Sequence, residues 1–270
     1  MHLSLPPGSR TLLLGANGAG KTTLLRVLGG QHLVPRGTVA VLGRPPFHDT
    51  ALTSGGDLTY LGGNWDREVA FAGYSVPLSA DMAAGDMLAR APGATPDRVA
   101  ALIDALDIDP AWRLHRVSDG QRRRVQIAMG LVRPFKVLLL DEITVDLDVL
   151  GRADLMAFLT AECEARGAAI VYATHILDGL DAWPTHVAFL ARGALQRCVP
   201  AAAIPELAEG RLLDVVTDWL RGEAAVEAKK ERAAGAGAGA GDGVASWSNG
   251  WAAGRMTSTL RGSGNTVMRM

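Results

Sequence analysis

The sequence predicts an α/β fold built around a parallel sheet, and three observations carry that prediction. An apolar run at 11–14 leads directly into a glycine-rich turn, 15–20, and then into a helix-forming segment that starts at Lys21. Four consecutive aliphatic residues, 137–140, end in the carboxylate pair Asp141 and Glu142. From there on, strand-like and helix-like segments alternate at 137–140, 154–166, 169–174 and 187–190. Such alternation implies crossover helices on both faces of a parallel sheet, and unbroken aliphatic runs suit strands buried on both faces.

The elements follow in order. Residues 3–5 and 11–14 read as strands joined by a Pro-Pro-Gly-Ser turn, with a helix over 21–29 after the glycine-rich turn. Residues 37–42 read as a short strand stopped by Gly43-Arg44-Pro45-Pro46, and 58–61 as another that ends in Gly62-Gly63. Residues from about 64 to 134 hold helical segments, including 99–106 and a helix running to Val132, with Pro134 closing the section. Leu212, Val215, Val216 and Trp219 recur at helical spacing, so a helix near 211–220 packs one face on the domain. The main domain is expected over 1–233. The Gly/Ala repeat at 234–245 reads as a flexible linker, and 246–270 as a flexible tail. Trp247 and Trp251 leave two readings open for that tail, docking on the domain or on a partner, or disorder.

The chemistry begins at Gly15-Ala16-Asn17-Gly18-Ala19-Gly20-Lys21-Thr22, which fits the phosphate-binding pattern G-x-x-x-x-G-K-[ST] between a strand and a helix. Glycines let the backbone wrap a polyphosphate with several N–H groups pointing inward, and the helix adds its positive dipole end. Lys21 is placed to reach the β- and γ-phosphate oxygens, and the Thr22 hydroxyl to ligate Mg²⁺; Thr23 belongs to the same binding set. A nucleoside triphosphate is the expected ligand. Asp141 ends its strand at the carboxyl edge of the sheet, where ligands of open α/β sheets bind, and is expected to hold Mg²⁺. Glu142, one residue on, is placed to polarise an attacking water.

Composition narrows the classes. With 270 residues, 48% of them hydrophobic, the chain can bury a full α/β core plus an appendage. A net charge of −1 argues against an electrostatic nucleic-acid footprint. Arg122, Arg123 and Arg124 form a basic run, but a helix spreads them around its circumference, so they read as a solvated face. Cys163 and Cys198 form no C-x-x-C pair and the six histidines show no metal spacing; reduced thiols in the cytosol are expected. No stretch approaches the ~20 apolar residues of a membrane span, and the start has no signal-peptide pattern.

Val117-Ser118-Asp119-Gly120-Gln121 and the helix-forming run after it resemble the signature sequence of ABC ATPases (ATP-binding cassettes), in the family's order relative to Asp141. Ile170-Val-Tyr-Ala-Thr-His175 resembles the switch strand ending in its histidine, and Val145-Asp146-Leu147-Asp148 the loop that crosses the dimer interface. Within the family, Ser118 to Ile127, Leu140 to Asp148, Tyr172 to Leu180 and Trp183-Pro184-Thr185-His186 resemble a soluble branch. That branch contains plant class I ABC proteins and a fungal ABC factor associated with the CCR-NOT complex. The resemblance implies a P-loop NTPase of ABC type that binds ATP and Mg²⁺, with Glu142 and His175 catalytic. It implies a helical subdomain and, here, a shortened N-terminal antiparallel β-subdomain. Ser118 and Gly120 would cap the γ-phosphate held by a second subunit, with Gln121 and Asp148 also in the nucleotide-binding set. The implied assembly is an ATP-dependent homodimer.

Three departures accompany the resemblance. Asp119 replaces a glycine and places a carboxylate near phosphate, unless it points away or caps the helix. Gly62-Gly63-Asn64 stands where a Mg²⁺-binding glutamine is expected, with Asn64 as a shorter substitute. Fourteen residues precede Gly15 and none is Phe, Tyr or Trp, which leaves His2 as the one ring for stacking adenine. A shortened start and weak discrimination between ATP and GTP are therefore expected. Taken together, the sequence leads to an ATP-hydrolysing switch in a cytosolic or nuclear protein complex, related to transcription or mRNA turnover. The alternative is the nucleotide-binding subunit of a separate membrane transporter. A binding module with little hydrolysis is disfavoured by the intact Glu142 and His175.

Overall fold

A computed structural model describes residues 3–62, 68–71, 74–77 and 81–237. Strand β1 (Arg10–Leu14) is followed by helices α1 (Lys21–Leu28) and α2 (Thr50–Ser54), then by strand β2 (Leu58–Gly62). The hairpin β3 (Glu68–Phe71) and β4 (Tyr74–Pro77) precedes three helices, α3 (Ala84–Arg90), α4 (Pro96–Ala105) and α5 (Asp119–Leu131). Then come β5 (Val137–Asp141), α6 (Val149–Arg166), β6 (Ala169–Ala173), β7 (His186–Ala191) and β8 (Ala194–Pro200). A short helix α7 (Pro205–Ala208) and the long α8 (Leu212–Gly237) close the described chain.

The six-stranded sheet runs β2-β5-β6-β1-β7-β8, parallel except for the antiparallel edge strand β8. Its strands alternate between two apolar layers with the period of two that a pleated strand imposes. Leu138, Leu140, Ile170, Tyr172, Leu12, Val187 and Phe189 face one layer, completed by residues of α3 to α6. Leu139, Val171, Ala173, Leu13, Ala188 and Leu190 face the other, against Leu25 of α1 and Leu52 of α2. Truncating a fully buried residue such as Leu138 or Leu140 costs about 2–5 kcal/mol. The sheet is therefore anchored on both sides, and its carboxyl edge is a rigid base for loops.

The helices start and stop where local chemistry dictates. Ser118 caps α5 through a capping box, its side chain accepting from the Gln121 N–H while the Gln121 side chain accepts from the Ser118 N–H. Asp148 caps α6 by accepting from Gly151 N–H at 2.7 Å, and Gly167 ends that helix in the left-handed region at φ 67°.

Several expectations are corrected. Residues 3–5 form no strand, because no described strand lies beside them to pair with. Residues 37–42 contribute one isolated bridge, Val41 to Arg44, in place of a strand. The stretch from about 64, expected to hold helical segments, also carries the β3–β4 hairpin ahead of α3 to α5; its Val and aromatic residues favour strands. Strand β8 was unforeseen: Arg192 and Gly193, both at positive φ, make a two-residue turn that brings it back along β7. Helix α8 runs well past residue 220, because the Ala-, Glu- and Lys-rich sequence after Gly222 consists of strong helix formers. It continues into the first residues of the Gly/Ala repeat.

The chain divides into two compact units, 1–225 and 226–270. The first holds the sheet and its covering helices; the described part of the second is the end of α8. His2, Gly63, Asn64, Trp247, Trp251 and the chain beyond Gly237 lie outside the described residues. Among the described residues, no helix is long and apolar enough to cross a membrane.

Candidate nucleotide site

Sheet register brings the expected residues together. Gly62 pairs with Asp141, Asp141 with Ala173, and Ala173 with Leu13. Gly15, Glu142 and His175 follow these strand ends and so share the carboxyl edge.

The loop 15–20 wraps tightly between β1 and α1. A Cβ at Gly15 would lie 2.3 Å from the Leu190 carbonyl oxygen, so only glycine fits there. Gly20, at φ 101°, turns the chain into α1, and no side chain caps that helix. Its first N–H groups therefore face the loop, the arrangement that favours an anion. Lys21 Nζ donates to Gly15 O at 2.7 Å and to Ala16 O at 3.2 Å, which folds the ammonium back over the loop. Burial lowers its pKa, opposed by the nearby Glu142 and Asp141 carboxylates. Ala16, Asn17 and Gly18 are exposed at the turn, Ala19 is buried beneath it, and Thr22 and Thr23 are exposed on the first turn of α1.

Beside the loop, the Thr22 hydroxyl donates to Asp141 Oδ1 at 3.2 Å, with Asp141 itself 4% exposed. A hydroxyl and a carboxylate oxygen so converged are hard donors of the kind Mg²⁺ takes. No group of three or more His, Cys, Asp or Glu gathers among the described residues. A Mg²⁺ here would be held by Thr22 and Asp141.

Glu142 sits at φ 53°, a strained conformation for a residue with a side chain. The strain turns the carboxylate back toward the next strand. Its Oε2 lies 2.9 Å from His175 Nδ1 and accepts from the His175 N–H at 3.3 Å. Both side chains keep solvent contact, 27% for Glu142 and 63% for His175, as a site that admits water requires.

The residues of the signature sequence stand apart at the start of α5. Ser118 is exposed, and its Oγ and the Gln121 side chain are engaged with each other's backbone. Asp119 does not cap the helix, a role Ser118 takes; its carboxylate is 96% exposed and pairs with Arg122 one turn on. Asp148 caps α6 and receives Arg124 Nη2 at 2.8 Å.

The arginine run is not a solvated face. Arg122 donates to the carbonyls of Leu114 and Val117. Arg123, whose side chain is 5% exposed, donates to Ile143 O at 3.3 Å and Gly62 O at 3.2 Å and lies 4.0 Å from Asp146. Arg124 holds Asp107 and Asp148, each at 2.8 Å. These acceptors lie on distant segments, and nothing in the local sequence marks them. Sequence reasoning also missed Tyr60, whose hydroxyl donates to Asp141 Oδ2 at 3.1 Å.

Comparison with known proteins agrees with this geometry. The family model described as ABC transporter matches residues 1–145. The chain is 53% identical to ABC transporter I family member 20 of Arabidopsis thaliana, over 99% of this chain and 87% of that protein. It is 43% identical to CCR4-associated factor 16 of Saccharomyces cerevisiae, over 72% of this chain and 70% of that one. Among solved structures, an ATP-binding subunit of an ABC transporter superposes with a TM-score of 0.63 at 20% identity, covering 81% of this chain and 90% of that one. A dimeric post-hydrolysis ATP-binding cassette bound to ADP and Pi gives 0.58 at 19%, covering 74% and 88%. The phosphate loop, the carboxylate strand and this kinship agree: the chain belongs to the ABC transporter family and is an ATP-binding, ATP-hydrolysing cassette.

Proposed function

We propose that this chain is an ATP-driven switch that closes as a head-to-tail homodimer around two ATP molecules and opens on hydrolysis. The observation that carries the reading is the Glu142–His175 contact beside the Thr22–Asp141 pair, which joins a water-activating carboxylate to a cation-holding one at a single sheet edge. In this reading the backbone of 15–20, Lys21, Thr22 and Thr23 bind the triphosphate. Thr22 and Asp141 would hold Mg²⁺, which when bound would neutralise charge on the triphosphate. Glu142 orients the attacking water and takes its proton, and His175 fixes Glu142 and faces the γ-phosphate. Ser118 accepts from Gln121 N–H and so keeps its own O–H to donate to a phosphate oxygen of the partner subunit. Gly120 leaves room there for the phosphate, and the N-terminus of α5 contributes its positive end. Asp148 and Asp146 carry the state of that interface to α5 through Arg124 and Arg123.

The switch acts in a cytoplasmic protein complex, with the nucleus also accessible. The yeast relative's name, CCR4-associated factor, supports a role in transcription or mRNA turnover. The arginine run is consumed by internal contacts, which supports protein partners over direct nucleic-acid binding. The ATPase domain spans 1–233 in this reading, with a helical subdomain near 64–134, a Gly/Ala linker at 234–245 and a tail at 246–270. A second reading, the motor of a separate membrane transporter, is favoured by the relatives named as transporter family members. Purification of tagged chain in mild detergent separates the two: deadenylation or transcription factors in stoichiometric amount support the switch, and a membrane protein supports the motor.

A further inference from the structure

Tyr60 is built into the cation end of the site without belonging to any motif. It lies on β2, the strand next to β5, two residues before the Gly62 that pairs with Asp141. Its hydroxyl donates to Asp141 Oδ2 at 3.1 Å while Thr22 donates to Oδ1 at 3.2 Å. Both carboxylate oxygens therefore have a donor, one on each side, and the plane of the carboxylate is set by the pair.

The ring occupies a slot made by two glycines. A Cβ at Gly29, just past α1, would lie 2.9 Å from Tyr60 Cβ and 3.2 Å from Cγ. A Cβ at Gly62 would lie 2.8 Å from the Tyr60 hydroxyl. Neither glycine has a positive φ, so backbone freedom does not require them; space for this ring does. The Arg26 guanidinium of α1 faces the phenol electrostatically and lends the slot a fixed positive charge.

We propose that Tyr60 is a positioning residue for the cation-holding carboxylate: it holds Asp141 Oδ2 so that Oδ1 stays aimed at the Mg²⁺ that accompanies ATP. A donor on the far oxygen stops the carboxylate rotating about its Cβ–Cγ bond and leaves one oxygen oriented toward Thr22. Partners of this outer kind tune metal affinity without touching the metal. The inference rests on the assignment of Thr22 and Asp141 as the cation-holding pair.

Binding of a fluorescent ATP analogue to full-length chain, with EDTA and across a Mg²⁺ titration, tests it. Tyr60→Phe is expected to bind the analogue in EDTA as wild type does, while the Mg²⁺ concentration for half-maximal effect rises about 10-fold or more. Gly62→Ala, which drives a Cβ against the hydroxyl but keeps the phenol, should shift the Mg²⁺ requirement the same way. It also serves if Tyr60→Phe does not fold. In an Asp141→Asn background, Tyr60→Phe should add nothing further. An unchanged Mg²⁺ requirement in a folded Tyr60→Phe overturns the proposal, and so does an equal loss of binding with and without Mg²⁺, which marks a purely structural ring. If Asp141→Asn alone leaves the Mg²⁺ dependence unchanged, the cation-site assignment fails and takes the proposal with it.

Discussion

The carboxyl edge of the sheet and the start of α5 are held in place by different physics. At the edge, position comes from backbone register: Gly62, Asp141, Ala173 and Leu13 are locked side by side in a sheet buried on both faces. The loops carrying Lys21, Glu142 and His175 inherit that rigidity. The start of α5 has no such ladder. It is fastened by arginine side chains, Arg123 to the carbonyls of Gly62 and Ile143, and Arg124 to Asp107 and Asp148. Register gives a fixed geometry that tolerates substitution elsewhere, whereas side-chain brackets can be broken singly. A chemical site benefits from the first, and an element that must respond to a neighbouring copy benefits from the second.

The largest break is expected at the edge itself. Glu142→Gln should keep ATP binding and cut phosphate release by about 100-fold or more, the typical contribution of a positioned general base. Near wild-type turnover would remove Glu142 from that role. Lys21→Ala should weaken ATP binding by about 1.5–3 kcal/mol through loss of a charge-assisted contact, read by calorimetry. Unfolding of the nucleotide-free chain should hardly change, because the ammonium is partly desolvated there and its partners are loop carbonyls.

The bracket should fail in the opposite pattern. Arg123→Met leaves the Gly62 and Ile143 carbonyls without this donor, which costs about 1–3 kcal/mol in urea unfolding. ATP affinity should stay close to wild type, since the sheet edge keeps its register. An Arg123→Met chain of full stability would show that the bracket does not hold α5. The smallest effect is expected at the cap: Ser118→Ala should lose about 1 kcal/mol of stability. Glycine at the same position should recover most of it if the cap is the whole cause.

The same contrast explains what was legible in the sequence. Strands β1, β5 and β6 could be read because each carries an apolar run whose residues are buried: Leu12–Leu14, Leu138–Leu140 and Ile170–Ala173. The loop 15–22 could be read because its geometry is local, set by glycines and one helix start. Strand β8 was missed because none of its residues is fully buried and Gln196 and Arg197 interrupt any apolar run; the cue lay in the two-residue turn at Arg192 and Gly193. The arginines were misread because a helix circumference says nothing about carbonyls on segments twenty or sixty positions away. Of the two roles open to Asp119, the cap went to Ser118, the residue before it, with Gln121 completing the box, and Asp119 is exposed and paired with Arg122. Tyr60 stayed hidden because its partner lies on the neighbouring strand and the glycines that make its slot look like ordinary turn residues.

The central claim is that the edge of one chain and the α5 start of another close on the same ATP. Mass measurement of Glu142→Gln in Mg²⁺-ATP, alone and combined with Ser118→Arg, tests it most directly. Glu142→Gln should run as a dimer, and the double variant as a monomer that still binds ATP. A monomeric Glu142→Gln, or a double variant that dimerises equally well, would contradict it.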